Sequence, residues 1–396
     1  MKEADMKKTY RWICLQKALG YGSRKIKEIL KIYKTSEEFF KASKEEWSKC
    51  RLFTARELQK LLNFDYSIAE KIEETCDKKG YKIVTYEDDN YPSKLKGIYN
   101  PPAVLYVNGS FPKVDKELAI AIVGTRSATT YGLKTSFDFA YNLAKKGVII
   151  ISGGALGVDT SAQKGAVLAG GKVISVLGCG IDCKYLKKND DLKKTIAKSG
   201  AVISEYEPDY PVIGRNFPIR NRIIAALSHG TLIVEAGQKS GALITANLAL
   251  EQNRDLFAIP GDIRSEVSLG TNNLIKECAK PVTQVEDILE EYYLRFPDLG
   301  NKINSERLEK IVDDSDKNID SLESQRDEIQ NAENENLNIS KRAKIIYNLL
   351  ERDRAFVFDE IAILSGLNAA DVLQGITELE VKKLIYSGPG KQYRKK

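Results

Sequence analysis

Six short apolar runs, each separated from the next by helical spacing or turns, constrain the fold of this chain more than any other feature. The runs are 118–123, 148–151, 173–177, 201–203, 231–234 and 256–259. Segments with helical spacing lie between them, for example 135–146, 160–169 and 242–252. Short strands that are apolar throughout are buried on both faces, as in a parallel sheet covered by helices. The pattern therefore predicts an α/β fold with an extended Rossmann-like, doubly wound parallel sheet.

The rest of the chain predicts three further parts around this core. Residues 1–85 have the spacing of short helices, which predicts a helical domain of the SAM or helix-hairpin-helix type. The core itself spans 86–292. Residues 293–340 are rich in Asp, Glu, Asn and Ser, which predicts a flexible acidic linker. Residues 341–396 show three helical segments followed by two short strands around Gly388-Pro389-Gly390, which predicts a winged helix.

Two features outside the core leave alternatives open. The turn Gly20-Tyr21-Gly22-Ser23 either presents backbone N–H groups to a DNA phosphate or only joins two packed helices. The third helix of the predicted winged helix carries Asp371, Glu378 and Glu380, which suits a DNA groove poorly. Docking to a protein is therefore favoured for this part, and weak DNA contact through Lys391 and Arg394 is the alternative.

Composition excludes several classes of function. The chain has six cysteines without a CxxC pair and a single histidine, His229, which argues against a metal site and a histidine-based triad. No apolar stretch is long enough for a bilayer, and no apolar run follows the charged N-terminus. We therefore expect a cytoplasmic protein with reduced thiols and no membrane association. The net charge of +6 permits a polyanionic partner without requiring one.

Phosphate-suited residues follow several of the predicted strands. Gly124, Thr125 and Arg126 come after the first, and Ser152, Gly153, Gly154 and Gly157 come after the second and open a helix. Because the carboxyl ends of parallel strands meet at one edge, we expect these loops to form one anion-binding rim. Asp159, in the first turn of that helix, either caps it or has a functional role.

Two further segments add cations to the same predicted rim. Arg220, Asn221 and Arg222 precede an apolar pair, and Lys239 with Ser240 stands between a strand and a helix. An arginine suits phosphate because its planar guanidinium donates two parallel hydrogen bonds. No Ser–His–Asp order, HExxH or GxxxxGK[ST] motif occurs, and this favours a binder over an enzyme. We expect no cofactor.

Taken together, these motifs resemble the DprA/Smf family (DNA-processing protein A). The segments that carry the resemblance, in family order, are Tyr91-Pro92, Asn100–Tyr106, Val123–Arg126, Ser152–Asp159, Gly178–Asp182, Arg220–Arg222, Glu235-Ala236, Ser240-Gly241, Pro260-Gly261 and Gly270–Asn272. The resemblance spans roughly residues 86–282. The sequence departs from the family pattern at Leu186, where a proline usually follows the tyrosine, and at Cys278, where a glycine is usual.

The resemblance implies a homodimer that binds single-stranded DNA and helps to load the RecA recombinase in natural transformation or DNA repair. It also implies that Arg126, the glycines of Ser152–Gly157 and Arg220–Arg222 hold phosphates. A further basic position of the family falls on Lys187 or Lys188, between which the sequence does not decide.

Two enzyme classes are the alternatives. The phosphoribohydrolases of the lysine-decarboxylase-like group are marked by a Pro-Gly-Gly-x-Gly-Thr motif with a nearby glutamate pair. The corresponding residues of this chain, 235–241, lack that pair. A NAD-dependent oxidoreductase needs an acidic residue at the end of its second strand to hold the ribose. Ser152-Gly153-Gly154 occupies that place, which argues against a dinucleotide site.

Overall fold

The structure, a computed structural model, describes residues 6–184, 189–296, 339–350, 356–365, 367–382, 384–388 and 392–395. The described residues divide between two compact units, and the division falls between residues 296 and 339. The predicted acidic linker, 293–340, therefore lies almost wholly outside the described residues.

The first unit contains fourteen α-helices among its described residues. They are α1 (Lys8–Leu19), α2 (Lys25–Tyr33), α3 (Ser36–Lys41), α4 (Lys44–Lys49), α5 (Ala55–Leu62), α6 (Ser67–Lys79), α7 (Ser93–Gly97), α8 (Thr130–Lys145), α9 (Val158–Leu168), α10 (Asp190–Ser199), α11 (Asn216–Leu227), α12 (Gly241–Glu251), α13 (Leu269–Glu277) and α14 (Glu286–Leu289).

Nine strands of this unit form one sheet. They are β1 (Lys82–Thr85), β2 (Val104–Gly109), β3 (Ala119–Val123), β4 (Ile149–Ser152), β5 (Val173–Leu177), β6 (Ala201–Ser204), β7 (Gly230–Ile233), β8 (Asp255–Ala258) and β9 (Lys280–Pro281). Their order is β1-β2-β6-β5-β4-β3-β7-β8-β9, and all neighbours from β6 to β9 are parallel. The prediction of an α/β fold with a large parallel sheet is confirmed.

The sheet is wound in two directions from β3. The chain runs outward through β4, β5 and β6, and then returns to place β7 on the other side of β3. Ile120 and Ile122 of β3 pack in one hydrophobic cluster with Leu143 of α8, whereas Ala121 packs in a second cluster with Ile224 of α11. Helices therefore cover both faces, which explains why the strands are apolar throughout.

Two strands at one end of the sheet were not predicted. The β2 strand pairs antiparallel with β6, and β1 pairs antiparallel with β2. Their residues lie at the boundary that the sequence places between the helical part and the core. The short apolar run at 104–107 follows two prolines, which obscured its strand character.

The N-terminal helices share a core with the sheet. Trp12 and Ile13 of α1 and Phe39 of α3 are fully buried in the same cluster as Tyr106 of β2. The amide of Gln16 donates to the carbonyl oxygens of Val104 and Glu205 at 3.2 and 3.1 Å. The predicted boundary at residue 85 is therefore crossed by continuous packing, and the division into a helical domain and a core stays a prediction.

The second unit is small and has its own core. Its described helices are α15 (Lys341–Leu349), α16 (Phe358–Ser365) and α17 (Ala369–Val381), and its strands are β10 (Phe356–Val357), β11 (Ile385–Gly388) and β12 (Gln392–Lys395). The strands pair in the order β10-β12-β11. The helices and the two later strands lie where the sequence predicts them, although the assignment as a winged helix stays a prediction. Among all described helices, none is long and apolar enough to cross a membrane.

The packing of α8 on α9 leads to a stability prediction. A Cβ atom at Gly165 of α9 would lie 2.3 Å from the carbonyl oxygen of Phe137 in α8, whereas a Cβ atom at Gly97 would meet nothing within 4 Å. We expect Gly165→Ala to lower the free energy of unfolding by about 1–3 kcal/mol because the two helices must move apart. Urea denaturation measures this, with Gly97→Ala as the matched control; equal effects of the two substitutions would contradict the packing described.

Candidate nucleic-acid interface

The loops that follow β3, β4, β5 and β7 lie along one edge of the sheet, the carboxyl edge. These four strands run parallel, so their ends bring the sequence-predicted glycine and arginine segments together. The winding reverses between β3 and β7, and such a reversal is where doubly wound folds bind ligands. The structure therefore places the predicted rim at a position suited to a ligand.

The backbone of Thr125 joins three of these loops. Its N–H donates to the carbonyl oxygen of Glu235 at 2.8 Å, and its own carbonyl accepts from the N–H of Val158 at 3.3 Å. Gly157 has a φ of +79°, and a Cβ atom there would lie 2.4 Å from the Thr125 carbonyl oxygen. Only glycine allows this close approach. The loops after β3, β4 and β7 are thus held as one rigid surface.

A buried carboxylate, Glu235, occupies the N-terminus of α8. Its side-chain oxygens accept from the N–H and the hydroxyl of Thr129, at 2.9 and 2.5 Å. The positive end of a helix dipole favours an anion at this position. This role was not predicted, because the sequence shows only a glutamate that follows a strand. The amino end of α8 is consequently filled by the protein itself.

A second buried carboxylate, Asp159, lies under the glycine loop after β4. It accepts from the N–H groups of Gly153 and Ala155 at 3.1 and 3.4 Å. The guanidinium of Arg220 is close by and donates to the carbonyl oxygen of Gly153 at 2.6 Å and to that of Val176. Neither of the two roles considered for Asp159 is shown: Gly157 is the N-cap residue of α9, and Asp159 instead binds the loop that precedes that helix.

Several residues predicted to bind phosphate are turned inward. Arg220 and Arg222 are only 3% and 2% exposed, and Arg222 pairs with Glu205 at 2.7 Å. The hydroxyl of Ser152 donates to the carbonyl oxygen of Ile122 at 2.8 Å, and the N–H of Gly153 is taken by Asp159. This placement differs from the prediction, because the apolar and glycine-rich surroundings that suggested a phosphate loop also allow close internal packing.

Other predicted residues remain on the surface of the rim. Arg126 is exposed, and its guanidinium carbon lies 5.1 Å from the centre of the Phe217 ring. Lys239 is exposed, and the neighbouring Ser240 caps α12 by accepting the N–H of Ala242 at 3.3 Å. Asn221 is partly exposed and donates to the carbonyl oxygen of Gly241 at 3.4 Å.

Three glycines of the rim leave backbone groups accessible or unpaired. The N–H groups of Gly154 and Gly157 have no hydrogen-bond partner among the described residues, and Gly124 is partly exposed at the end of β3. Lys187 and Lys188 lie outside the described residues.

Two exposed cations at this edge were not predicted from the sequence. Lys184 lies in the segment after β5, and Arg215 immediately precedes α11. Only exposure on the folded chain distinguishes them from other basic residues.

The glycine turn between α1 and α2 packs against the core. The N–H of Gly22 donates to Glu205 at 3.2 Å, and the Tyr21 hydroxyl donates to Glu207. Glu205 thereby binds Gly22 and Arg222 together. Of the two interpretations of this turn, the contacts favour the packing turn over a phosphate site. Within the described residues, no group of three or more His, Cys, Asp or Glu side chains could hold a metal ion.

The buried Asp159 leads to a prediction about pH. Burial raises the pKa of Asp159 to about 6, and the nearby Arg220 and the two backbone N–H groups oppose this shift only in part. In the unfolded chain the same carboxyl has a pKa near 4, so between about pH 4 and 6 the folded state binds more protons. We therefore expect the stability of the wild type, relative to Asp159→Asn, to rise as the pH falls through this window, by up to about 1.4 kcal/mol per pH unit. Urea denaturation of both proteins at several pH values measures it; a difference that does not change with pH would contradict the raised pKa.

Comparison with known proteins agrees with the resemblance found in the sequence. The family model of DNA recombination-mediator protein A matches residues 82–293. DNA processing protein DprA of Bacillus subtilis is 38% identical over 214 residues, which cover 54% of this chain and 72% of that protein. The corresponding protein of Streptococcus pneumoniae is 41% identical over 210 residues, covering 52% of this chain and 72% of that protein.

A solved structure supports the same assignment. The X-ray structure of DNA processing protein A from Streptococcus pneumoniae has a TM-score of 0.64 and 33% sequence identity, and the match covers 72% of this chain and 99% of that chain. The family model, these relatives and this solved structure agree, and the chain belongs to the DNA recombination-mediator protein A (DprA/Smf) family.

Proposed function

We propose that this chain binds single-stranded DNA along the carboxyl edge of its sheet. One observation carries the proposal: four cations in the loops at this edge are exposed, whereas Asp159 and Glu235, two acids of the same loops, are buried. The exposed cations are Arg126, Lys184, Arg215 and Lys239, and none of them pairs with a carboxylate among the described residues. Exposed, unpaired cations attract a phosphate backbone and release its counterions.

Aromatic side chains beside the rim favour a single strand over a duplex. Phe217 is half-buried next to Arg126, and Tyr131 is 54% exposed with its hydroxyl 3.3 Å from the Pro260 carbonyl oxygen. Unpaired bases stack on such rings with little regard to sequence, and a guanidinium plane adds to the stacking. The bases of a duplex are not available for this contact. The rim thus offers phosphate and base contacts within one strip.

We propose binding without catalysis. Two carboxylates of the rim loops, Asp159 and Glu235, already accept backbone N–H groups of the same chain, which fits a structural role better than proton transfer to a bound nucleotide. A phosphoribohydrolase needs acidic groups that reach its substrate. Here the acids stabilise loops instead, so the alternative of a nucleotide-processing enzyme is the weaker hypothesis.

Membership of the family supports a more specific proposal for the role of this chain. We propose that the chain acts in the cytoplasm as a homodimer, protects incoming single strands and helps to load RecA during natural transformation or DNA repair. Strand exchange by RecA on DNA coated with single-strand-binding protein tests this role directly. Stimulation by the wild type that is lost in Arg126→Ala would support it, and the absence of stimulation despite DNA binding would contradict it.

For the second unit we propose a winged helix that docks on a protein. Its helix α17 exposes Leu373 and Val381, with exposed fractions of 57% and 76%, beside the acidic residues Glu378 and Glu380. An apolar and acidic helix face suits a protein partner better than a DNA groove. The proposed domain order is thus a helical domain, 1–85; a DNA-binding core, 86–292; an acidic linker, 293–340; and a winged helix, 341–396.

The DNA-binding proposal predicts the effect of salt and of single substitutions. In fluorescence anisotropy with labelled oligo-dT, the wild type should bind with an affinity that falls steeply as salt rises. Arg126→Ala and Lys239→Ala should each weaken binding by about three- to tenfold. Each should also reduce the slope of log affinity against log salt by about 0.7, because one phosphate contact is lost.

The matched control is a cation of similar exposure on a different surface. Lys78 on α6 is exposed and pairs with Glu74 at 3.3 Å, so Lys78→Ala should leave both the affinity and the salt slope unchanged. If all three substitutions weakened binding equally, the attraction would come from net charge and not from the rim. Absence of binding by the wild type at low salt would contradict the proposal altogether.

A further inference from the structure

A group of basic side chains lies at the amino edge of the sheet, opposite the rim proposed to bind DNA. His229 immediately precedes β7, and Arg254 immediately precedes β8. Lys94 belongs to α7, and Arg295 follows α14. The guanidinium carbon of Arg295 lies 5.5 Å from the centre of the Phe296 ring, and that ring lies 4.9 Å from the ring of His229. The charges of Arg254 and Arg295 both lower the pKa of Lys94 and that of His229. None of these four basic side chains takes part in the proposed DNA contacts.

The centre of this group is a buried amine. The Nζ atom of Lys94 lies 2.8 Å from both ring nitrogens of His229, and Lys94 is only 9% exposed. The backbone N–H of Ala119 donates to Nδ1 of His229 at 3.1 Å, which leaves the proton of the neutral ring on Nε2. An ammonium group can only donate hydrogen bonds, so it would find no free acceptor here. The geometry therefore favours a neutral Lys94 amine.

The electrostatic surroundings also favour uncharged forms of Lys94 and His229. Burial, together with the charges of Arg254 and Arg295, lowers the pKa of Lys94 to about 6, and the charge of Asp115 opposes this shift only in part. Burial and Lys94 together lower the pKa of His229 to about 3. The cluster thus keeps two bases uncharged near neutral pH, because burial and the neighbouring positive charges outweigh the stabilisation that Asp115 gives to Lys94.

The two nearby carboxylates already accept hydrogen bonds from other groups. Asp115 accepts from the backbone N–H groups of Ser93 and Lys94 at 2.7 and 3.3 Å, and Asp255 accepts the Tyr292 hydroxyl at 2.6 Å. Among the described residues, no carboxylate forms an ion pair with Lys94, Arg254 or Arg295. The Nε atom of Arg254 is buried without a hydrogen-bond partner. Donors in excess of acceptors characterise a site that is completed by an anion.

We propose that Lys94, His229, Arg254 and Arg295 form a binding site for an oxyanion of the phosphate class. The exposed Arg295 meets the ligand at the surface, and Arg254 and Lys94 lie deeper. A bound phosphate supplies the missing acceptor oxygens, and Lys94 then takes up one proton from solvent and becomes an ammonium. The phosphate is either free in solution or part of a DNA backbone, and the test distinguishes these sources.

The single histidine of the chain makes this site directly observable. In full-length protein labelled at histidine, the imidazole NMR signals come from His229 alone. Titration with inorganic phosphate at constant ionic strength, balanced with sodium chloride, should shift these signals in a saturable manner. We expect Arg254→Gln to weaken the apparent affinity about tenfold, and the more exposed Arg295→Gln about threefold.

The controls separate this site from the rim. Arg264 is exposed and pairs with Asp262 at 3.2 Å, so Arg264→Gln should leave the titration unchanged. A shift with oligo-dT alone that Arg295→Gln weakens identifies a DNA phosphate as the ligand and supports the site. If neither phosphate nor oligo-dT shifts the His229 signals, or if both arginine variants respond like the wild type, the proposal is overturned. Because Arg295 is exposed, its substitution keeps the test valid even if Arg254→Gln does not fold.

Discussion

The carboxyl edge of the sheet depends on two buried carboxylates that satisfy backbone N–H groups from within. Glu235 fills the amino end of α8, and Asp159 holds the glycine loop that leads into α9. Without them, the tight loops after β3 and β4 would bury unpaired donors, each at a cost of about 1–3 kcal/mol. The Thr125 backbone then joins the same loops to each other. The rim is therefore rigid before any ligand arrives.

Because these two carboxylates already accept backbone N–H groups of the rim loops, they limit which ligands the rim can bind. A phosphate-binding enzyme presents its helix N-termini to the substrate, whereas here Glu235 occupies the amino end of α8 and Asp159 binds the N–H groups of the loop before α9. What remains for a ligand is the outward layer, which contains Arg126, Lys239 and the half-buried Phe217. Such a layer suits a long, sequence-tolerant polyanion better than a small nucleotide held for catalysis.

The sequence predicted the part of the structure that depends on hydrophobic pattern. All six apolar runs are strands of the parallel sheet, and the glycine and arginine segments meet at its carboxyl edge. The same reasoning missed which side chains point outward. Arg220 and Arg126 look equally suited to phosphate in the sequence, yet one lies beneath Gly153 and the other on the surface. Burial of a polar side chain is set by tertiary contacts, which no local pattern reveals.

Photo-crosslinking tests the central claim most directly, because it reports where a single strand lies and not only that it binds. Oligo-dT with 4-thiothymidine along its length would be crosslinked to the full chain, and the modified peptides would be identified by mass spectrometry. The account predicts crosslinks in the peptides that contain Arg126, Phe217 and Lys239. Crosslinks confined to the turn at Gly20–Ser23 or to the second unit would contradict it.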